Sequence, residues 1–189
     1  MTEQEYFTVH HNLTINVEAL GNDFALPDEE TFVAEIPAPF IVASEFSQLD
    51  MLADNARLEL QNKDLKHVIS LLDTQNTKLN LLLSFMLSQQ DDASVRYQTT
   101  QFGASQLSYH ADNALDTQQL VRVKLFLDNP AAAIYCYAKV VECVSSEHGF
   151  VITLKYKMLR DADQDLLIKA ALYQQQKLLR QRSLERDKK

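Results

Sequence analysis

The sequence of 189 residues contains no tryptophan, three glycines and four prolines. So few glycines leave no candidate for a glycine-rich loop that cradles phosphate groups. The sequence also lacks the Gly-x-Ser-x-Gly motif of serine hydrolases and the His-Glu-x-x-His motif of zinc proteases. We therefore predict that the protein is not an enzyme.

Cysteine is almost as rare, with Cys136 and Cys143 the two present. They lie seven residues apart in one predicted strand, and an odd spacing places them on opposite faces of a sheet, so we expect no disulfide between them. Neither Cys-x-x-Cys nor His-x-x-x-His spacing occurs, so we expect no metal site. Two reduced cysteines are typical of a cytosolic protein.

No apolar run approaches the roughly 20 residues that a membrane-spanning helix needs. The first residues, Met-Thr-Glu-Gln-Glu, lack the basic start and apolar stretch of a signal peptide. We therefore expect a cytoplasmic protein with no membrane span.

Basic side chains are absent from residues 1–50, which carry ten acidic ones. That segment has a net charge of −10 and the rest of the chain +2, which together give the net charge of −8. An acidic surface repels phosphate, so we expect no nucleic-acid partner. Residues 177–189 hold six basic and two acidic side chains, which is typical of a solvated helix end favoured by the helix dipole.

Residues 46–90 contain neither proline nor glycine and carry a heptad repeat. Apolar residues stand seven apart at Met51, Leu58, Leu65, Leu72, Leu79 and Met86. A second heptad position holds Asn55, Asn62, Ile69, Asn76 and Leu83. The repeat predicts one helix of about 70 Å that forms a coiled coil with other copies of the chain. The predicted oligomerisation residues are Leu58, Asn62, Leu65, Ile69, Leu72, Asn76, Leu79, Leu83 and Met86.

Two features of the repeat indicate different numbers of chains. Leucine at one core position with asparagine at the other is typical of parallel dimers. The apolar stripe is also wide, with Leu71, Leu81 and Leu87 beside it, which suits three or four helices. A helix lying alone on its own domain would let the stripe rotate by about 20° per heptad, so we favour self-association. We predict a homo-oligomer, either a dimer or a tetramer.

After Asp91 the apolar period changes from 3.5 residues to 2, which predicts β-strands. The predicted strands cover residues 95–100, 106–110, 121–127, 132–144 and 150–158, and a helix begins at about Asp163. Closely spaced antiparallel strands indicate a small β-barrel. The predicted fold class is α+β, in three segments: an acidic strand and helix segment (1–45), the heptad helix (46–90), and a barrel closed by a C-terminal helix (91–189).

Four stretches of this last segment resemble the PilZ domain, a bacterial family that binds the messenger cyclic di-GMP. They are Thr99–Tyr109, Gln119–Leu127, Tyr135–Val141 and Lys177–Arg182, in the order strand, strand, hairpin and closing helix. The resemblance covers roughly residues 92–184. With the preceding heptad helix, the chain is most similar to the atypical, oligomeric branch of that family. The resemblance implies a PilZ barrel and a role in cyclic di-GMP signalling.

The sequence departs from the family's two ligand motifs, Arg-x-x-x-Arg before the barrel and Asp/Asn-x-Ser-x-x-Gly on an early strand. The first motif is absent, and Gln101, Gly103 and Gln106 occupy the three defined positions of the second. Guanidinium groups stack on bases and form paired hydrogen bonds with phosphate. The candidate ligand-binding residues are therefore the remaining arginines with polar neighbours: Arg96, Gln101, Ser105, Arg122, Arg180 and Arg182.

Taken together, these patterns predict a non-enzymatic, oligomeric signalling adaptor of the PilZ type with degenerate ligand motifs. Cyclic di-GMP is the possible ligand, no other cofactor is expected, and the signalling partner proteins are unknown. The alternative is an oligomeric scaffold that binds other proteins and no nucleotide.

Overall fold

The computed structural model describes residues 7–46, 49, 65–128 and 131–186. The strands are β1 (Thr8–His10), β2 (Thr14–Ala19), β3 (Arg96–Gly103), β4 (Gln106–Ala111), β5 (Leu120–Asp128), β6 (Ala131–Ser146) and β7 (Gly149–Met158). The helices are α1 (Glu29–Glu35), α2 (residues 38–46), α3 (Lys66–Ser88), a short 3-10 helix (Ala93–Val95) and α4 (Asp161–Arg186).

Six antiparallel strands form a closed barrel in the order β3-β2-β5-β6-β7-β4, with β3 and β4 pairing to close the ring. Strand β1 pairs with the end of β3 beyond β2. The predicted α+β fold, a small antiparallel barrel with a C-terminal helix, is confirmed. No helix in the described ranges has both the length and the apolarity needed to cross a membrane.

Strand β5 shows why the chain forms this barrel. Its apolar residues Val121, Val123, Leu125 and Leu127 are buried, and the residues between them are half-buried. Strand β6 is buried through its first eight residues because both of its faces are covered. On the outer face, the ring of Phe32 from α1 lies 6.0 Å from the rings of both Tyr135 and Tyr137.

The N-terminal segment supplies part of the barrel. Strand β2 lies between β3 and β5, where Ile15 pairs with Tyr97 on one side and Leu125 on the other. The barrel is therefore built from strands on both sides of the heptad helix in the sequence, with β2 from the segment before it and β3 to β7 from the segment after it.

The predicted orientation of the cysteines is wrong. Cys136 lies opposite Val123, and Cys143 lies opposite Ile152, and both of these partners are fully buried. Directly opposed residues share a face of the sheet, so both cysteines point into the barrel. The pairing of β6 with β7 shifts between Val140 and Glu142, which reverses the alternation that the spacing predicted. Both cysteines are free.

Helix α4 begins at Asp161, two residues before the predicted start. Its first turns cover the barrel with four buried apolar side chains, those of Leu166, Leu167, Ala170 and Ala171. The carboxylate of Asp163 is fully buried and accepts two hydrogen bonds from the Arg160 guanidinium, at 2.8 and 2.7 Å.

Helix α3 covers Lys66–Ser88 of the predicted heptad helix (46–90), and the described Leu65 before it is not helical, so the single continuous helix that was predicted is wrong at that point. The predicted oligomerisation residues Leu58 and Asn62 lie outside the described residues, and Leu65 caps the start of α3. Leu83 and Leu87 are its buried residues, and they lie near its C-terminal end. The barrel therefore holds α3 by its last turns.

Candidate functional site

The outer face of the barrel carries a row of polar side chains across three neighbouring strands. Asn16 in β2 lies opposite Arg96 in β3 and opposite Lys124 in β5. One step along β2, Glu18 lies opposite Arg122 in β5. We call these five residues the polar row. It brings together two of the predicted ligand residues, Arg96 and Arg122.

Each basic side chain of the polar row already has a partner. The Arg96 Nε lies 2.8 Å from a carboxylate oxygen of Asp91, and an Arg122 nitrogen lies 2.9 Å from Glu18. The Lys124 Nζ donates a hydrogen bond of 3.0 Å to the backbone oxygen of Gln90. Both arginines of the polar row are therefore paired with carboxylates, whereas Lys124 is held by a backbone carbonyl and keeps its positive charge.

The Arg122 side chain also lies against the tyrosines on the outside of β6. Its guanidinium carbon is 6.0 Å from the centre of the Tyr137 ring, within the range of a cation–π contact. Burial by itself lowers the pKa of Arg122, but a hydrogen bond to Tyr137 and the charges of Tyr135 and Glu18 raise the pKa overall. Within the part of the chain that the structure describes, the buried Nε of Arg122 has no hydrogen-bond partner.

Asn16 connects the polar row to the end of α3. Its amide nitrogen donates to the Asp91 carboxylate at 2.8 Å and to the Asp92 carbonyl at 3.1 Å. Its amide oxygen accepts a hydrogen bond of 2.9 Å from the Asp92 N–H. The segment that follows α3 is thereby bound to β2 by three hydrogen bonds from one buried side chain.

Gln101 and Ser105 lie at the other end of β3. Gln101 pairs with His10, accepts a hydrogen bond from Thr8 at 3.3 Å and donates one to Ser108 at 3.2 Å. Ser105 lies in the turn between β3 and β4. Five residues of strand separate Arg96 from Gln101, a distance of about 16 Å. The structure does not bring these two positions to the polar row.

Arg180 and Arg182 lie in the last turns of α4, where both are exposed. In the described ranges, neither forms an ion pair. The six predicted ligand residues thus occupy three places: the polar row, the far end of β3, and the end of α4.

Sequence reasoning missed Asn16, Glu18 and Lys124, all three of which belong to the polar row. Lys124 was recognisable as an outward-facing residue, because it alternates with the buried Val123 and Leu125. Asn16 carried no such signal, since a buried asparagine cannot be told from an exposed one by residue type.

Cavities near this region are small. One of about 160 Å³ lies at the base of α3 and is lined by nine residues: Thr14, Ser84, Leu87, Ser88, Asp91, Phe126, Leu127, Asp128 and Ala132. Another of about 240 Å³ lies between the loop after β2 and the loop before β5, where Gln118 has a φ of 76°. No cluster of three potential metal ligands occurs among the described residues.

The largest unusual surface is on α3. Eight large apolar side chains of this helix are exposed: Val68, Leu71, Leu72, Leu79, Leu81, Leu82, Phe85 and Met86. Leu79 is 50% exposed and Phe85 is 65% exposed. Leu81 and Phe85 lie on the side of the helix away from Leu83 and Leu87, which pack on the barrel, whereas Leu72, Leu79 and Met86 lie along the flank next to them. A contiguous apolar surface of this kind marks an interaction site.

Comparisons with known proteins agree with the fold. A tetrameric PilZ domain of a pathogenic protein from Xanthomonas campestris, self-assembled via a helical bundle, is similar with a TM-score of 0.58 and 13% identity. The similarity covers 93% of this chain and 91% of that one. The inhibitor of motility MotI/DgrA of Bacillus subtilis aligns with a TM-score of 0.48 and 12% identity, over 94% of this chain and 53% of that one.

No family model matches the sequence, and no curated protein matches it. The structural similarity defines the class: the chain has a PilZ-like fold.

Proposed function

We propose that the protein is a cytoplasmic, non-enzymatic signalling adaptor of the PilZ type, which assembles through α3 and passes its signal on by contact with partner proteins. The observation that carries this proposal is the uncovered apolar face of α3. That face includes the heptad residues Leu72, Leu79 and Met86, whereas Ile69 and Asn76 are half-buried.

The width of the exposed face argues for more than one neighbour per helix. Leu72, Leu79 and Met86 form one stripe, and Leu71 and Phe85 lie to one side of it. A two-stranded coiled coil covers a narrow seam, whereas bundles of more helices cover a broader one. The Xanthomonas protein with the similar fold is tetrameric. We propose a tetramer in preference to a dimer.

The test of assembly is the mass of the full chain in solution, measured by light scattering. We expect an oligomer for the natural protein and a single chain for L72E/L79E, because buried charges would disrupt the seam. The matched control is T74E/T77E, which places the same two charges at exposed polar positions of the same helix. A natural protein that runs as a single chain would overturn the proposal.

The proposed adaptor does not bind cyclic di-GMP. A phosphate would have to displace Asp91 from Arg96 and Glu18 from Arg122, and Lys124 alone, held by the Gln90 carbonyl, would be a weak hold for two phosphates and two bases. Titration calorimetry of the oligomer with cyclic di-GMP should therefore give no heat of binding up to high micromolar ligand.

A cyclic di-GMP receptor is the second candidate, favoured by three basic side chains gathered on neighbouring strands. Binding that is lost in R96A and R122A, and kept in the exposed-site control R182A, would establish it. In that case the variant E18Q should bind more tightly than the natural protein, because Arg122 would lose its competing carboxylate.

A further inference from the structure

Helix α4 has a second apolar face, opposite the one that covers the barrel. Ile168, Leu172 and Leu179 are exposed and lie at i, i+4 and i+11, which places them in one line along the helix. Buried residues of α4 end at Ala171, and Leu178 packs partly on the core. We call this line of three residues the outer face of α4.

Two basic side chains flank the outer face of α4. Arg180 and Arg182 lie on either side of the line at Leu179, both are exposed, and neither forms an ion pair among the described residues. Like charges at close range repel, so two outer faces of α4 are poorly suited to pack on each other. A partner for this surface needs an apolar centre and an acidic rim.

Helix α1 and the segment just before it offer such a surface on the same chain. Leu26 and Val33 are exposed, Val33 by 42%, and the exposed carboxylates of Glu29 and Glu30 lie between them in sequence. We call these four residues the acidic face of α1. Asp28 caps α1 by accepting a hydrogen bond of 2.8 Å from the Thr31 N–H, so α1 starts at a defined position.

We infer that the outer face of α4 in one copy packs on the acidic face of α1 in a neighbouring copy. Each surface combines apolar side chains with charges opposite to those of the other. Both surfaces are exposed within a single chain, so they do not cover each other there. This contact rests on the proposed assembly through α3 and adds a second interface, between neighbouring barrels.

The test is disulfide trapping between copies in a C143S background, with Cys136 left in place because it is fully buried. V33C and L179C are made in separate chains with affinity tags of different size, mixed under denaturing conditions, refolded together and oxidised. A disulfide between the two tagged chains then forms only across an interface. We expect several-fold more of the mixed product than with the control L184C.

L184C is a matched control because Leu184 is 63% exposed, against 57% for Leu179, on the same helix. Its position is rotated away from the outer face by about 140°. A second measurement exchanges the charges: E29K/E30K in the V33C chain should lower the yield several-fold, and R180E/R182E in the L179C chain should restore it.

Equal yields for L179C and L184C, or no rescue by the exchanged charges, would overturn the inference. Light scattering of the C143S protein separates this failure from that of the proposed function. An oligomer without selective cross-linking would remove only the α1–α4 contact, whereas a single chain would remove the assembly and the contact together.

Discussion

The two long helices, α3 and α4, are attached to the barrel in different ways. Helix α4 is held by its first turns, where Leu167 is fully buried and the Arg160–Asp163 ion pair is enclosed. Helix α3 is held by its last turns, through Leu83, Leu87 and the hydrogen bonds of Asn16. Most large apolar side chains of α3 remain exposed.

This difference separates the stability of one chain from its assembly. Contacts that attach α4 are complete within a single chain, so they should matter at every protein concentration. The apolar face of α3 is removed from water only when copies of the chain associate. Its contribution to the free energy of unfolding should therefore depend on protein concentration.

The largest effect is expected at the base of α4. The variant R160M leaves the buried Asp163 carboxylate without its two hydrogen bonds, and we expect the free energy of unfolding at pH 7 to fall by about 3–5 kcal/mol. Urea denaturation measures this change. A loss below 1 kcal/mol would mean that α4 is not anchored there.

The same site predicts a dependence on pH. Burial raises the pKa of Asp163, although the hydrogen bonds and charge of Arg160 oppose the rise. Because the pKa of Asp163 is higher in the folded state than in the unfolded state, this group stabilises the fold fully below its unfolded pKa of about 3.9. That stabilisation is lost as the pH rises through the pKa of the folded state. R160M should therefore recover stability as the pH is lowered from 7 toward 5.

The control for this pH profile is D163N, which removes the titrating group. Burial lowers the pKa of His11, so its contribution is complete above about pH 6.5 and is lost as the pH falls through the folded value. His11 is present in both R160M and D163N, so its effect cancels when the unfolding free energies of the two variants are subtracted. If the difference in unfolding free energy between R160M and D163N does not change with pH, the pH dependence does not come from Asp163.

A pair of leucine substitutions compares the helices directly. L167A empties a fully buried site in α4, and we expect a loss of about 2–5 kcal/mol at all protein concentrations. L79A, at a half-exposed site in α3, should change the stability of the single chain by less than about 0.5 kcal/mol. It should instead weaken assembly, seen as a midpoint of denaturation that no longer rises with protein concentration.

An effect smaller than that of L167A is expected at the attachment of α3. N16A removes three hydrogen bonds and leaves the Asp92 N–H without its partner, which should cost about 1–3 kcal/mol. Hydrogen exchange at the Asp92 amide should become faster. The control is T14A, two residues earlier in β2, which removes one exposed hydrogen bond to Gln98. Equal effects of the two variants would show that Asn16 does not attach α3.

Local patterns predicted the elements of this fold well. Alternating residues predicted β5, because Val121 to Leu127 face the core at every second position. The absence of proline and glycine predicted a helix over residues 46–90, of which Lys66–Ser88 is helical and Leu65 is not. The ligand residues were harder to predict, because arginines such as Arg96 and Arg180 look alike in sequence and lie in different places in the fold.

The sequence by itself determined the alternation of the strands after Asp91, the uneven charge and the apolar excess of α3, because all three follow from neighbouring residues and their spacing. Only the tertiary structure decided that β2 lies in the barrel, that both cysteines face inward, and that Glu18 neutralises Arg122. These outcomes depend on residues far apart in the chain: Glu18 and Arg122 are 104 positions apart, and Asn16 and Asp91 are 75 apart. Strand order and register bring such residues together, and no local pattern encodes them.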